Sequence, residues 1–357
     1  SQTTKVRWGV ENPEDMHMEG AIAGIKFALG ENPRGANWSS ERGRYPQSRM
    51  GVETLLRDRF TAAKEYAAAS GGKPAKGEAT QRRDLELEAI AEILAGERLI
   101  HCHSYRQDEI VMLCLVARDF GFKIGTFQHI LEGYKVADYV RDYSGGGSAF
   151  SDWWAFKVEV QDAIPGGPPL MHEVGAVVSY NSDSDELARR LNVEAAKAVK
   201  YGGISPEEAF KFVTLNPAKQ LKIDDRTGSL EPGKDADIAV WNGNPLSGMT
   251  KCIATYVDGR RLFSIQDDAA HRETIAAERT RLIQKILTEG KKRKTEDEGR
   301  EPREPRTPVA EEQPPGDDSV SEEYRRMREQ LYLDMLNRGM SPDAARPGEC
   351  GCGILHW

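Results

Sequence analysis

The sequence predicts an α/β fold, in which strand–helix units surround a parallel sheet and a small β module follows. Between residues 20 and 225, short apolar runs alternate with segments of helical periodicity, which is typical of a parallel sheet. After residue 225 the hydrophobic period changes to two, as in antiparallel strands. We therefore expect a (β/α) portion over 1–225 and a β module over 226–266.

About five strands are expected in the first portion, at 21–30, 98–105, 122–129, 148–156 and 174–183. Helical patterns lie at 51–69, 85–97, 108–121, 132–143, 186–203 and 205–221. Proline suits the first turn of the last of these helices, and Pro217 is expected to end or kink it. In the β module, "ADIAVWN" and "IATYVDGRRLFS" have the composition of strands.

The composition changes again beyond residue 267. Residues 267–318 are predicted to form a disordered linker, because the stretch is charged, rich in proline and has little to bury. Residues 319–339 regain a helical pattern, with a capping box and an apolar stripe of Tyr324, Met327, Leu331 and Met335. This amphipathic helix is expected to dock on its own chain or, alternatively, on a partner. Residues 340–357 form a tail.

Charge and composition exclude several classes of function. The 49 basic and 57 acidic residues are mixed along the chain, so no basic stripe predicts nucleic-acid binding. Five cysteines without a paired pattern argue against a disulfide framework. No run of apolar residues is long enough to predict a membrane span. The opening "SQTTKVRWGV" has neither methionine nor a signal-peptide region, which favours a processed or truncated soluble chain of unpredicted location.

Histidines at the ends of two neighbouring strands predict a metal site. In "RLIHCHSY", His101 and His103 share one face, since side chains alternate along a strand. His129 ends the next strand at the equivalent place, and both strand ends would lie on one rim. Imidazole suits zinc and similar divalent ions. The alternative is one core histidine and one imidazole bonded to the backbone.

Two further residues are candidates for the same rim. Asp183 closes a strand, where a carboxylate beside two histidines can bind metal and accept a proton from an attacking water. It could instead cap the following helix. Lys26 lies inside an apolar strand, where its amine could capture carbon dioxide and become a metal-bridging carbamate. Its stem could instead be buried with the head in solvent, and Glu31 is a rival acidic ligand.

Several segments resemble the second half of the amidohydrolase superfamily, on its imidazolonepropionase-like branch. They are, in order, "HCHSYRQDEI", "FQHILEGYKVAD", "VVSYNSDSDELARRLNVEAAKAV", "TLNPAKQLKIDDRTGSLEPGKDADIAVWNGNP" and "YVDGRRLF". The resemblance covers about residues 20–264 and implies a metal-dependent (β/α)8 (TIM) barrel with a small β module. It also implies hydrolysis of a C–N bond in an amide, cyclic amide or dipeptide.

The resemblance implies roles for the rim residues. Lys26, with or without carboxylation, would bind one or two divalent ions, most simply zinc, together with His103, His129 and Asp183. A metal-bound hydroxide would attack the substrate carbonyl, with Asp183 and His129 as catalytic residues. Further candidates for contact with substrate are His101, Tyr105, Arg34 and His172. Arg34 lies in a loop whose arginines could meet a substrate carboxylate, although a solvated basic loop is equally expected.

The chain departs from the family in its first half. Nothing before Lys26 supplies the family's first-strand histidine pair, and only strands four to eight of the barrel are recognisable. We therefore expect an oligomer or a companion chain that supplies the missing barrel half. Two alternatives stay open: a non-catalytic subunit, and a self-sufficient mononuclear hydrolase that uses His103, His129 and Asp183 alone.

Overall fold

The computed structural model describes residues 2–7, 9–36, 44–70, 82–150 and 157–298. The chain divides into two units, Ser1–Ile265 and Gln266–Trp357. In the described residues of the first unit, a five-stranded parallel sheet and a three-stranded antiparallel sheet account for all named strands.

The parallel sheet follows the chain order. Its strands are β1 (Ala23–Ala28), β2 (Arg98–Ser104), β3 (Thr126–His129), β4 (Gly147–Ala149) and β5 (Val178–Tyr180). Each strand pairs in parallel with the next one in sequence. The alternating pattern predicted this arrangement, in which neighbouring parallel strands are connected by helices. The α/β class is therefore confirmed.

Helices connect the strands. Between β1 and β2 lie α1 (Glu31–Ala36), α2 (Arg49–Ser70) and α3 (Leu85–Leu94), and α4 (Gln107–Phe120) precedes β3. The later helices are α5 (Ala137–Tyr143), α6 (Gly167–Glu173), α7 (Asp185–Ala188), α8 (Leu191–Gly202), α9 (Pro206–Lys211) and α10 (Leu215–Leu221). Short 3-10 helices occupy Pro13–Met16, Gly133–Val136 and Val158–Val160. Local caps set several boundaries: Asp84 accepts from the N–H groups of Glu86 and Leu87 before α3.

The strand register gives the parallel sheet one apolar and one polar face. One row runs through Phe27, Cys102, Phe127, Gly147 and Val178, and its larger side chains pack into the core under the helices. The adjacent row runs through Ala28, His103, Gln128, Ser148 and Ser179. Because adjacent residues along a strand point to opposite faces, this polar row lies on the face opposite the core row.

Several predicted elements have different boundaries. The expected helix 186–203 is divided into α7 and α8, and 205–221 into α9 and α10, with Pro217 inside α10 rather than at its end. His172 was expected in a loop, but it lies in α6. Two prolines in the first turn suit this helix start, because proline needs no N–H partner there.

The small β module consists of β6 (Ile238–Trp241), β7 (Cys252–Val257) and β8 (Arg260–Ser264), which pair antiparallel in that order. The amino-terminal segment contacts this module through Lys5. Its buried ammonium lies 2.5, 3.0 and 2.6 Å from carboxylate oxygens of Asp235, Asp237 and Asp258, respectively. These ion pairs connect the start of the chain to the module.

The second unit corrects part of the predicted linker. Helix α11 spans Ile265–Glu298, so residues 267–298 are helical rather than disordered. Its exposed surface carries pairs one helical turn apart, such as Asp268–Arg272 and Lys285–Glu289. Such pairs stabilise a helix that buries little, and the first proline of the region is Pro302. The rest of the predicted linker, the helix at 319–339 and the tail at 340–357 lie outside the described residues.

Candidate functional site

Two buried histidines meet at the carboxyl end of the parallel sheet. His103 near the end of β2 and His129 at the end of β3 are 1% and 4% exposed, respectively. Their ring centroids lie 4.8 Å apart, with the rings edge to face. The predicted convergence of these two strand ends on one rim is present in the structure.

The backbone of His129 brings its ring to this position. Gln128, not His129, shares the register row of His103, so regular alternation would turn His129 toward the helices. Instead, His129 and Ile130 have φ angles of +70° and +26°, which end the strand. Positive φ is costly for residues other than glycine and commonly marks functional sites.

Asp183 reaches the same site from the loop after β5. Its Oδ2 lies 3.8 Å from His129 Nε2, and its own φ is +44°. The alternative role for Asp183, capping the next helix, belongs to Ser184, whose hydroxyl accepts from the Leu187 N–H at the start of α7. The Asp183 carboxylate therefore lies beside His129 and does not cap α7.

The two imidazoles are held neutral. Burial is the main cause that lowers the pKa of His103 to about 3, and nearby Lys26 and Lys157 lower it further. Burial also lowers the pKa of His129 to about 2, with a contribution from His103. Within the described residues, no hydrogen bond of ordinary geometry satisfies the ring nitrogens of either histidine. Neutral imidazoles with unused lone pairs are good metal ligands.

These residues fit a divalent metal in donor chemistry, but they are not closed around one point. Among the described side chains, no group of three or more histidines, cysteines or carboxylates has the spacing of a complete metal site. Four buried ring nitrogens without a hydrogen bond of ordinary geometry are unfavourable unless something binds them. The donor atoms of His103, His129 and Asp183 are thus of types that bind divalent metals, but in the described residues they do not form a complete site.

Aromatic rings form the walls of the site. Tyr105 packs edge to face on His103, with ring centroids 4.5 Å apart. The Phe150 ring lies 5.3 Å from His129. Tyr105 and Phe150 are almost fully buried. This apolar wall lowers the local dielectric, which strengthens interactions between any charges at the site.

Lys26 lies on the polar face of the sheet with an exposed head. Its ammonium donates a short hydrogen bond to Gln128 Oε1, and its register partner is the half-buried His101. Both residues thus share a sheet face with His103. Glu31, the rival ligand to Lys26, places its carboxylate 3.9 Å from Arg49.

The remaining candidates for contact with substrate divide into two groups. Tyr105 is at the histidine pair, as described above. Arg34 lies in α1, and the His172 ring packs on Phe212 at 5.1 Å. Of the loop arginines, Arg42 lies outside the described residues, and Arg49 is paired with Glu109 and Glu159.

Several polar residues near the site were not predicted from the sequence. Asn181 donates to the backbone and hydroxyl oxygens of Ser148, and Lys157 lies over the Tyr105 ring. Glu109 and Glu159 are buried carboxylates. The sequence does contain a signal for Glu109. Leu113 lies four residues after it and Val116 three residues after Leu113, so the three share one helical face, where a carboxylate is unexpected.

Within the described residues, the helices are too short or too polar to cross a membrane.

Comparisons with known proteins support one family. Residues 149–274 match the model of the amidohydrolase family. An amidohydrolase, tasK, of Hapsidospora irregularis is 28% identical over 252 residues, covering 67% of this chain and 25% of that protein. An imidazolonepropionase of Picrophilus torridus is 56% identical over 65 residues, covering 18% of this chain and 16% of that protein. The chain thus spans a minor part of these relatives.

A solved structure extends the likeness to the fold. The crystal structure of an amidohydrolase from Thermotoga maritima MSB8 superposes with a TM-score of 0.63 at 30% sequence identity. The match covers 70% of this chain and 65% of that one. The sequence motifs, the parallel sheet and these comparisons agree that the chain is similar to members of the amidohydrolase family.

Proposed function

We propose that this chain carries the second half of a metal-dependent amidohydrolase site, which hydrolyses a C–N bond in an amide, cyclic amide or dipeptide. One observation carries the proposal: two neutral imidazoles with unsatisfied nitrogens are buried beside Asp183 at the carboxyl ends of parallel strands. Amidohydrolases are generally metal-dependent, and catalytic groups of such barrels lie at this end.

In this proposal, His103 and His129 hold a divalent metal, with zinc favoured by their nitrogen donors. The exposed Lys26 is the position that a carboxylated lysine would occupy. When bound, the metal polarises the substrate carbonyl and activates water. Asp183 Oδ2 accepts a proton from the attacking water and donates it to the leaving nitrogen. Tyr105 and Phe150 exclude bulk water from this exchange.

The barrel is completed, in the same proposal, by another polypeptide segment. The described residues contribute five parallel strands, whereas a closed barrel of this kind has eight. The edge strands β1 and β5 each pair on one side only within this part of the chain. A companion segment that adds three strands would pair with both edges and enclose the polar face.

Metal stoichiometry tests the proposal. The purified chain, equilibrated with zinc and then desalted, should retain about one or two ions per chain. His103→Ala and Asp183→Ala should lower this content, measured by plasma mass spectrometry. His172→Ala is the matched control, because it removes an imidazole from α6 and leaves the pair intact. A folded wild-type chain that retains no zinc, or equal retention in all variants, would refute the assignment.

A further inference from the structure

Lys157 lies at the edge of the histidine site. Its Nζ is 4.5 Å from the centroid of the Tyr105 ring, a cation–π distance. The same ring lies 4.5 Å from the centroid of His103 and 5.9 Å from that of His129. The ammonium is thus separated from the candidate metal ligands by a single aromatic side chain.

The charges behind Lys157 hold its head in place. Its Nζ lies 3.2 Å from Glu159 Oε2. The other oxygen, Glu159 Oε1, accepts from the Glu31 N–H at 3.0 Å and from Arg49 at 3.1 Å. The Glu31 N–H and Arg49 hold the Glu159 carboxylate in place. This carboxylate can therefore fix the position of the Lys157 ammonium.

The anions of this network are more deeply buried than its cations. The carboxylates of Glu109 and Glu159 are 6% and 0% exposed, whereas Arg49 and Lys157 are 27% and 21% exposed. The two cations therefore lie outside the two anions.

From this geometry we propose that Lys157 is a specificity-determining residue, which binds a carboxylate on the substrate. The inference deepens the proposed function and rests on it. A substrate whose scissile carbonyl lies at the histidine pair can extend across the Tyr105 ring and place a carboxylate at the ammonium. N-acyl amino acids and dipeptides have this shape, so they are favoured over neutral amides.

Two matched probes test the inference: N-benzoylglycine and N-benzoylglycinamide, which differ in charge and little in shape. Binding to the full chain is measured by ligand-observed NMR, with chelator-treated protein so that no carboxylate binds through metal. The wild-type protein should bind the carboxylate about tenfold more tightly, as a charge-assisted hydrogen bond gives. Lys157→Met should abolish this preference, and Lys157→Arg should retain it.

Lys135→Met is the matched control. Lys135 lies near a tyrosine ring, with its Nζ 5.9 Å from the Tyr134 centroid, and it pairs with Asp162. Loss of this second lysine should leave the preference unchanged. If Lys157→Met does not fold, the wild-type protein still tests the inference, because the preference must weaken as salt screens the charge.

The inference is overturned if the wild-type protein does not distinguish the probes, or if Lys157→Met keeps the preference. The zinc content of the same preparations, measured on aliquots taken before the chelator treatment, separates this failure from that of the proposed function. Protein that retains zinc but ignores charge refutes the role of Lys157 alone. Protein that retains no zinc refutes the metal site, whatever the probes show.

Discussion

At the scale of single residues, Gly30 shows how closely the structure constrains the end of β1. Its φ is +77°, and a Cβ placed on it would lie 2.1 Å from Glu159 Oε1. The carboxylate cannot move away at little cost, because Arg49, Lys157 and the Glu31 N–H all hold it. Position 30 therefore requires glycine for two independent reasons.

Gly30→Ala should lower the free energy of unfolding by roughly 2–4 kcal/mol, since the strain of positive φ adds to the clash. Gly96→Ala is the matched control: its φ is +78°, but nothing lies within 4 Å of the added Cβ. That variant should lose only about 1 kcal/mol. Urea denaturation measures both, and equal losses would show that the Glu159 contact is not restrictive.

His129 and Asp183 illustrate a different constraint at this scale. Each has a positive φ without being glycine. Such conformations cost of order 1–3 kcal/mol and persist where the surroundings enforce them. Both residues lie at the proposed site, so the strain coincides with the place where geometry matters for function.

At the scale of elements, one buried ion network connects α2, α4 and the 3-10 helix Val158–Val160. Arg49, at the first residue of α2, lies 2.8 Å from Glu109 in α4 and 3.1 Å from Glu159. The backbone N–H of Gly30 also donates to Glu109. Four segments that surround the carboxyl end of the sheet are thus held by one guanidinium and two carboxylates.

Arg49→Met should destabilise the protein by about 3–5 kcal/mol, because two buried carboxylates lose their shared partner. Arg57→Met, in the same helix, removes more exposed pairs with Glu53 and Asp119 and should cost less than about 1 kcal/mol. Chemical denaturation of the two variants measures the difference. Similar losses would mean that burial of the network contributes little.

The pH dependence of Arg49→Met has a defined sign. Burial, the largest cause, raises the pKa of Glu109 above its ordinary value, while Arg49 opposes that rise. Without Arg49, the pKa of Glu109 in the folded state rises further. At pH values above the ordinary pKa of a glutamate, the folded state then binds more protons than the unfolded state. The stability deficit should therefore shrink as pH falls from about 8 to about 5. A deficit independent of pH would contradict this assignment.

At the scale of the whole molecule, the parallel sheet is amphipathic. Helices cover its apolar face, while the face with His103, Gln128 and Ser148 is polar. Parallel sheets are normally covered on both faces or closed into barrels. Five strands with such a polar face are what one would expect of part of a barrel whose interior carries a site.

A segment that supplies three further strand–helix units should therefore bind this chain in a one-to-one complex. The expected result, by light scattering after co-expression, is the mass of a heterodimer, with zinc retention at least equal to that of the chain alone. The control is the same segment with Pro placed in its edge strands, which blocks pairing. An isolated chain that stays monomeric, binds zinc fully and ignores the segment would contradict this expectation.

Much of the fold and part of the site could be predicted from the sequence. Hydrophobic periodicity located β1 to β3 and the helices α2 to α4, but not α1, which was expected to be a loop; Gly121, with φ of +79°, ends α4 as expected. The positions of His103, His129 and Asp183 at strand ends followed from the same pattern, because strand ends of a parallel sheet share one edge. Periodicity is a local property, so it can be read from neighbours in the chain.

The tertiary structure alone decided how those residues are used. In the structure, His129 departs from the regular alternation of its strand, and Ser184 rather than Asp183 caps α7. Arg49 forms ion pairs with Glu109 and Glu159, and Lys157 lies over the Tyr105 ring. Each of these contacts depends on strand register or on packing between distant segments. The sequence by itself determined which residues reach the rim, whereas the orientation and partners of their side chains depend on packing that no local pattern encodes.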